Sequence, residues 1–201
     1  MDKPVKIAPV ELDAPIETHT AGLEQIIVSR RTIHKFLPAV PSKEIFLKSI
    51  DVARWAPNHK LTEPWRFYLI GNETKEAIAH LNARIVAERK GPEVAKAKLA
   101  QWLAVPSMVV ATYKKAGDPC REKEDYASTC CAIHNMSLYL WSEGIGMKWS
   151  TSKSTQSPEF LDLLAIDAAR EEVVGLLWCG YPADVPEKTR KPVGSIVREL
   201  P

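Results

Sequence analysis

A shortage of glycine most limits what this chain can fold into. Nine of its 201 residues are glycine, where average usage is about 7%. Neither G-x-G-x-x-G nor G-x-x-x-x-G-K-[ST] occurs, and after Gly144 and Gly146 the dinucleotide fingerprint would need glycine where Trp149 stands. Strands separated by helices would otherwise favour a doubly wound parallel sheet, which binds nucleotides through such a loop. The sequence therefore predicts a helix-rich α+β fold, in which any phosphate is held by side chains.

Length and charge are those of one ordinary domain. Hydrophobic residues make up 45% of the chain and charged residues 26%, which is enough for a sizeable core. The 27 Lys and Arg residues nearly balance 25 Asp and Glu, for a formal net charge of +2, so any basic site must be local. Apolar runs fall short of the ~18 residues of a membrane span, and the four cysteines contain no C-x-x-C pair. We expect a cytoplasmic protein with no nucleic-acid or membrane partner.

Proline placement divides the chain into an arm and one domain. Residues 1–19 hold three prolines and no sustained hydrophobic period, which predicts an extended N-terminal arm, and residues 20–201 form a single domain. Residues 195–200 are predicted to be an extended tail. Apolar periodicity predicts helices near residues 23–31, 42–56, 78–90, 93–103, 122–143 and from 157 onwards, and strands near 65–69, 109–113, 147–151 and 173–179.

A basic run follows the first predicted helix. Arg30, Arg31 and Thr32 place two guanidinium groups and a hydroxyl there, and His34 and Lys35 add two further basic side chains. Guanidinium groups and hydroxyls bind phosphate through charge-assisted hydrogen bonds. A solvated helix end explains the run equally well, because cations near a helix C-terminus are stabilising without any ligand. Taken alone, the run leaves both interpretations open.

A proline-bounded loop connects the second predicted helix to the first predicted strand. Residues 55–66 read Trp-Ala-Pro-Asn-His-Lys-Leu-Thr-Glu-Pro-Trp-Arg, so hydrogen-bond donors and a flat aromatic ring lie around two prolines. The alternative is an ordinary helix-to-strand connection with Trp65 in the core, since buried aromatic residues are common.

Three other groups of residues favour plain structural explanations. Cys130 and His134 have the i, i+4 spacing of two metal ligands, but no matching third and fourth ligands lie nearby in the sequence. Cys131 has no adjacent residue that would activate it as a nucleophile. The basic residues between 89 and 98 are typical of a solvated helix face. We therefore predict no metal site and no catalytic side chain.

Taken together, the basic run and the loop resemble the flavin-dependent nitroreductase family, in its short, single-domain branch. Residues 30–32 are similar to the family's phosphate clamp, and Ala56-Pro57 and Pro64-Trp65 to its Ala/Ser-Pro loop that ends in Pro-Trp. Residues 144–151 resemble the stretch that passes beside the flavin ring. Gly180-Tyr181-Pro182, followed by residues 188–192, resembles the family's closing segment, whose arginine reaches back to the FMN phosphate.

This resemblance runs from about residue 22 to residue 195. It implies a nitroreductase-like fold with a central, mostly antiparallel sheet flanked by helices, in a homodimer with FMN at the subunit interface. It also implies an oxidoreductase in which FMN takes a hydride from NADH or NADPH and reduces a nitroaromatic, quinone or similar small-molecule acceptor by a ping-pong mechanism. Reductive dehalogenation, enone reduction, flavin breakdown and flavin binding without turnover stay open as alternatives.

The same resemblance implies which residues bind FMN. They are Arg30, Arg31, Thr32, Trp55, His59, Trp149, Ser150, Thr151, Lys188 and Arg190. The chain departs from the family pattern where members often carry Arg or Lys and it has His34, and where they carry Asn and Gln and it has Leu61 and Glu63. For this reason His34, Lys35 and Lys60 all stay open as the donor that faces the flavin O2 edge.

Overall fold

A four-stranded antiparallel sheet between two layers of helices forms the framework of residues 17–201, the part of the chain that the computed structural model describes. The predicted α+β class is confirmed. Among these residues the helices are α1 (Glu17–Ser29), α2 (Lys43–Ala53), α3 (Asn72–Lys90), α4 (Pro92–Leu103), α5 (Pro119–Ser142) and α6 (Pro158–Leu163). The strands are β1 (Trp65–Ile70), β2 (Ser107–Lys114), β3 (Gly146–Ser150) and β4 (Glu171–Gly180). Each lies within a few residues of a segment that the periodicity predicts.

The first helix begins earlier than expected. α1 starts at Glu17, so residues 17–19, which the sequence analysis places in the arm, are helical. The apolar period that marks the helix in the sequence begins only at Leu23. The rest of the predicted arm, residues 1–16, lies outside the described residues. None of the helices from residue 17 onward is both long and apolar enough to cross a membrane.

The strand order β1-β2-β4-β3 places two strands in the middle of the sheet. Because successive residues of a strand point to opposite faces, neighbouring residues of β4 supply two separate cores. Leu177 packs with Met136 in the core beneath α2 and α5. Trp178 packs with Trp102 and Phe160 in the core beneath α3, α4 and α6. The short apolar run at residues 173–179 is therefore a strand buried on both faces, as predicted.

The outer edge of β3 is covered by the chain that follows α1. Thr32 forms a parallel bridge to Met147, and the backbone N–H of Ile33 donates to the Met147 carbonyl at 3.2 Å. A Cβ built on Gly146 would lie 2.9 Å from Cβ of Ile33, so glycine there permits the close approach. This contact places the residues after α1 beside the strand that the resemblance assigns to the flavin ring.

Candidate functional site

Arg30 lies where α1 ends and the chain turns toward β3. Its guanidinium is partly buried, and its pKa is lowered by burial and then by the positive charges of Arg190 and Arg31. None of the ion pairs between described residues involves any of these three arginines. Guanidinium groups that face one another without a carboxylate form a place where a phosphate would be bound strongly.

Arg31 differs from Arg30 in where its side chain goes. Its Nη1 donates to the carbonyl of Val28 at 2.7 Å and to that of Arg30 at 2.9 Å. The Val28 carbonyl belongs to the last turn of α1, where backbone acceptors lack helical partners, and Arg30 directly follows the helix. In this arrangement Arg31 caps the helix, which is the structural role that the sequence analysis left open for the basic run.

Arg30 and Thr32 line a cavity of about 160 Å³ together with Met147 and Trp149 of β3. The fold thus brings the predicted phosphate clamp and the predicted ring stretch to one place. The wall opposite β3 is formed by α5, through Ile133, His134 and Ser137. The sequence analysis missed these as site residues. Their i, i+3 and i, i+4 spacing on the longest helix is the signal that shows they share a face.

Trp149 is fixed at the edge of this cavity. Its indole Nε1 donates to the Val174 carbonyl at 3.1 Å, and the ring lies so close to Gly175 that a Cβ there would overlap it. The side chain is 36% exposed, so an aromatic surface remains accessible. Ser150 and Thr151 follow in sequence but do not line the cavity. The strand turns Ser150 to the other face, and Thr151 lies beyond the end of β3.

The closing segment runs back along the same edge of the sheet. The Leu37 N–H donates to the Tyr181 carbonyl at 2.9 Å, and the Ala183 N–H donates to the Lys35 carbonyl at 3.0 Å. This antiparallel pairing leads the chain toward the clamp, so that Arg190 faces Arg30.

Lys188 takes a different position from Arg190. It faces His34, whose pKa is lowered by burial and then by the positive charges of Lys148, Lys188 and Lys98. Lys148 itself places Nζ 3.8 Å from the centre of the Trp178 ring, on the α4 side of the sheet. His34 is therefore held as a neutral imidazole at neutral pH, with an N–H available for donation.

The proline-bounded loop lies elsewhere on the same chain. Trp55 is 70% exposed, and His59 begins a single exposed 3-10 turn. The loop meets α5 at Ser128, whereas the clamp cavity meets α5 as far along as Ser137. Along the helix, at 1.5 Å per residue, the cavity residues of α5 lie about 7.5 Å (Ile133) to about 13.5 Å (Ser137) from Ser128. Trp55 and His59 do not line the cavity beside Arg30.

The backbone of this loop is strained. Lys60, Leu61 and Glu63 adopt φ values of 59°, 51° and 43°, in the left-handed region that costs a non-glycine residue about 1–2 kcal/mol. Such strain persists only where surrounding contacts hold it, and it is concentrated at functional sites. Two of the three residues, Leu61 and Glu63, stand where the sequence departs from the family pattern.

No three or more His, Cys, Asp and Glu side chains come close enough to hold a metal ion within residues 17–201. Cys130 instead contacts Tyr126, and burial raises the pKa of its thiol although this hydrogen bond lowers it. A raised pKa keeps the thiol protonated at neutral pH, and the thiolate is the form that acts as a nucleophile or metal ligand.

The structure is that of an α+β protein with a sheet covered on both faces by helices. Basic residues and an aromatic ring lie together at one edge of that sheet. The sequence model of the Nitroreductase family matches residues 27–181, which run from the end of α1 to the closing segment. The chain belongs to this family, and the predicted family and oxidoreductase class are confirmed.

Individual relatives agree with this assignment. YfhC of Bacillus subtilis, provisionally named an NAD(P)H nitroreductase, is 30% identical over 183 residues, covering 89% of this chain and 94% of YfhC. The crystal structure of a nitroreductase-like family protein from Bacillus cereus matches with a TM-score of 0.77 at 27% identity, over 89% of this chain and 95% of that one. A nitroreductase with bound FMN from Bacteroides fragilis gives a TM-score of 0.72 at 16% identity, over 89% and 98%. The predicted nitroreductase-like fold is confirmed.

Proposed function

We propose that this protein is an FMN-dependent oxidoreductase that uses NADH or NADPH to reduce a nitroaromatic, quinone or similar small molecule. The observation that carries the proposal is the cavity that Arg30, Thr32 and Trp149 line together. When bound, FMN supplies the redox chemistry, accepting a hydride from the nicotinamide and passing electrons to the acceptor. The remaining tasks of binding and orientation fall to this chain's own residues.

The residues at the clamp fit the phosphate end of FMN. Arg30 and Arg190 carry charges that no described acidic residue neutralises, and the exposed Thr32 offers a hydroxyl donor beside them. A phosphate dianion here would relieve the repulsion between the guanidinium groups and take several charge-assisted hydrogen bonds. The fixed indole of Trp149 suits a planar ring on the same side of the sheet.

We propose that His34 is the donor at the flavin O2 edge. It follows Thr32 of the clamp by only two residues in the sequence. The lowered pKa of His34 favours a neutral N–H donor over a full positive charge. A fixed donor of this kind stabilises negative charge that develops at a carbonyl edge.

We propose that a second copy of the chain completes each site. Trp55 and His59 are exposed and lie away from the clamp of their own chain, so they are available to the clamp of a partner. The apolar side chains of the tail are also uncovered, with Ile196 77% and Leu200 88% exposed. The outer edge of β1 has no strand partner among the described residues, and such edges readily pair with another chain.

The absorption spectrum of the purified protein tests the proposal directly. We expect a yellow protein, or one that takes up added FMN, that is bleached by NADH or NADPH without oxygen and recovers its colour with a nitroaromatic or a quinone. Parallel lines in double-reciprocal plots would support the ping-pong order. A protein that neither retains nor takes up FMN contradicts the proposal. Binding without bleaching would instead identify a flavin-binding protein without turnover.

A further inference from the structure

A chain of side-chain hydrogen bonds ties the strained loop to α5. Thr62 Oγ1 lies 2.6 Å from Oδ1 of Asp125. Because a carboxylate only accepts hydrogen bonds, the Thr62 hydroxyl donates to Asp125 and accepts from Nδ2 of Asn58, 3.1 Å away. The same amide nitrogen lies 3.3 Å from Oγ of Ser128. Two side chains of α5 therefore hold two side chains of the loop through hydrogen bonds.

Asn58 also closes the loop upon itself. Its Oδ1 accepts a hydrogen bond from the backbone N–H of Glu63 at 2.7 Å, and this contact spans the left-handed residues Lys60 and Leu61. A backbone N–H only donates, so the amide oxygen must face Glu63 and the amide nitrogen must face α5. The orientation of Asn58 is thus fixed from both sides.

The anchor of the loop, formed by Asp125 and Ser128 on α5, is buried, whereas the tip of the loop at Leu61 is exposed. Asp125 is 2% exposed and Ser128 is 7% exposed, and their i, i+3 spacing places them on one face of α5. Leu61, by contrast, is 82% exposed. Apolar packing therefore does not hold the tip, and its strained backbone depends on the polar contacts to the helix.

We propose that Asp125 and Ser128 are positioning residues that hold this loop in the conformation that presents His59 to FMN. They act through Thr62 and Asn58, and they do not themselves contact the cofactor. The inference rests on the proposed function, because it is the resemblance to flavin-dependent nitroreductases that assigns His59 to FMN. The strain at Lys60 is then the local cost of a conformation that the buried carboxylate stabilises.

A pair of substitutions at Thr62 tests the anchor without disturbing the core. Thr62→Val removes the hydroxyl and keeps the shape, whereas Thr62→Ser keeps the hydroxyl. Thr74→Val, on α3 and outside the loop, is the matched control. We would measure the FMN dissociation constant of the apoprotein by flavin fluorescence, the rate of trypsin cleavage after Lys60 without FMN, and the melting temperature.

We expect Thr62→Val to raise the FMN dissociation constant about tenfold, the effect of one lost hydrogen bond to a charged group. Cleavage after Lys60 should become several-fold faster, and the melting temperature should fall below that of Thr74→Val, because the buried Asp125 side chain loses its donor. Thr62→Ser should restore the FMN dissociation constant and the cleavage rate to within about twofold of the wild type, because its hydroxyl can reach Asp125.

Three outcomes would overturn the inference. Wild-type affinity for FMN in Thr62→Val would show that the anchor does not position the binding loop. Equal losses in Thr62→Val and Thr62→Ser would show that the hydroxyl is not what matters. A wild-type protein that fails to bind FMN would refute the proposed function as well, whereas failure of the inference alone leaves wild-type FMN binding intact.

Discussion

Ile33 lies directly against Gly146, at a distance that leaves no room for a side chain on the glycine. A Cβ at that position would stand 2.9 Å from Cβ of Ile33 and 3.1 Å from the ring of Pro182. One glycine therefore lets two covering segments, the residues after α1 and the closing segment, meet over the start of β3. Both carry residues of the proposed phosphate clamp, so this contact sets where the clamp stands.

Gly146→Ala should destabilise the protein and weaken the clamp. Ile33 is fully buried, so the added methyl group must displace it, and overpacking of this kind costs about 1–3 kcal/mol. Urea unfolding measures the loss. Gly22→Ala is the control, because nothing lies within 4 Å of the added carbon and alanine is the better helix former. If both variants unfold at the same urea concentration, the contact between Ile33 and Gly146 is not tight.

Arg30→Ala should weaken FMN binding at least tenfold. The substitution removes a charge-assisted hydrogen bond to phosphate of about 1.5–3 kcal/mol, and each 1.4 kcal/mol corresponds to a tenfold change in affinity. Titration of the apoprotein with FMN gives the dissociation constant. Arg89→Ala, in the last turn of α3, removes an exposed arginine away from the cavity and should leave it unchanged. Unaltered affinity in Arg30→Ala would remove this residue from the clamp.

Stability should fall between about pH 10 and pH 12. Burial, then the hydrogen bond to a glutamate and its charge, raise the pKa of Tyr68 and of Tyr113 from 10 to about 12. Their acceptors are Glu171 at 2.9 Å and Glu172 at 3.1 Å. The folded state therefore retains protons that the unfolded state releases above pH 10, so the stabilisation present below pH 10 is lost as the pH rises through 12.

Thermal unfolding at a series of pH values measures this loss. The Tyr68→Phe, Tyr113→Phe double variant cannot ionise at either position, so its melting temperature should decline less steeply over the same interval. It should also be less stable than the wild type at pH 7, because the glutamates lose their donors. Identical slopes for wild type and double variant above pH 10 would contradict the assignment to these two phenols.

The strands of the sheet could be predicted from local signals, but the covering of its edges could not. Residues 173–179 form one short apolar run bounded by polar residues and Gly180, a pattern typical of a strand buried on both faces. Proline and glycine mark most helix ends in the same local way. The bridge from Thr32 to Met147 joins residues far apart in sequence, and no local pattern specifies it.

Local sequence patterns also do not specify which distant residues meet in the proposed site. The order of motifs along the chain indicated that Arg30 and Arg190 belong together, and they face each other. Lys188, which the resemblance also assigns to FMN, acts with its positive charge on His34. Asp125 gave no signal, since only the folded chain brings it to Thr62.

Mixing two inactive variants should restore binding sites if each site takes its clamp from one subunit and its loop from the other. Arg30→Ala and His59→Ala dimers should each bind FMN poorly. In a hybrid dimer, one site receives both substitutions and the other receives neither, so one site per hybrid is intact. Sites made within one chain would give no intact site in any hybrid. The amount of FMN bound per dimer after subunit exchange distinguishes sites shared between subunits from sites made within one chain. The control is the same measurement on the two variants incubated separately.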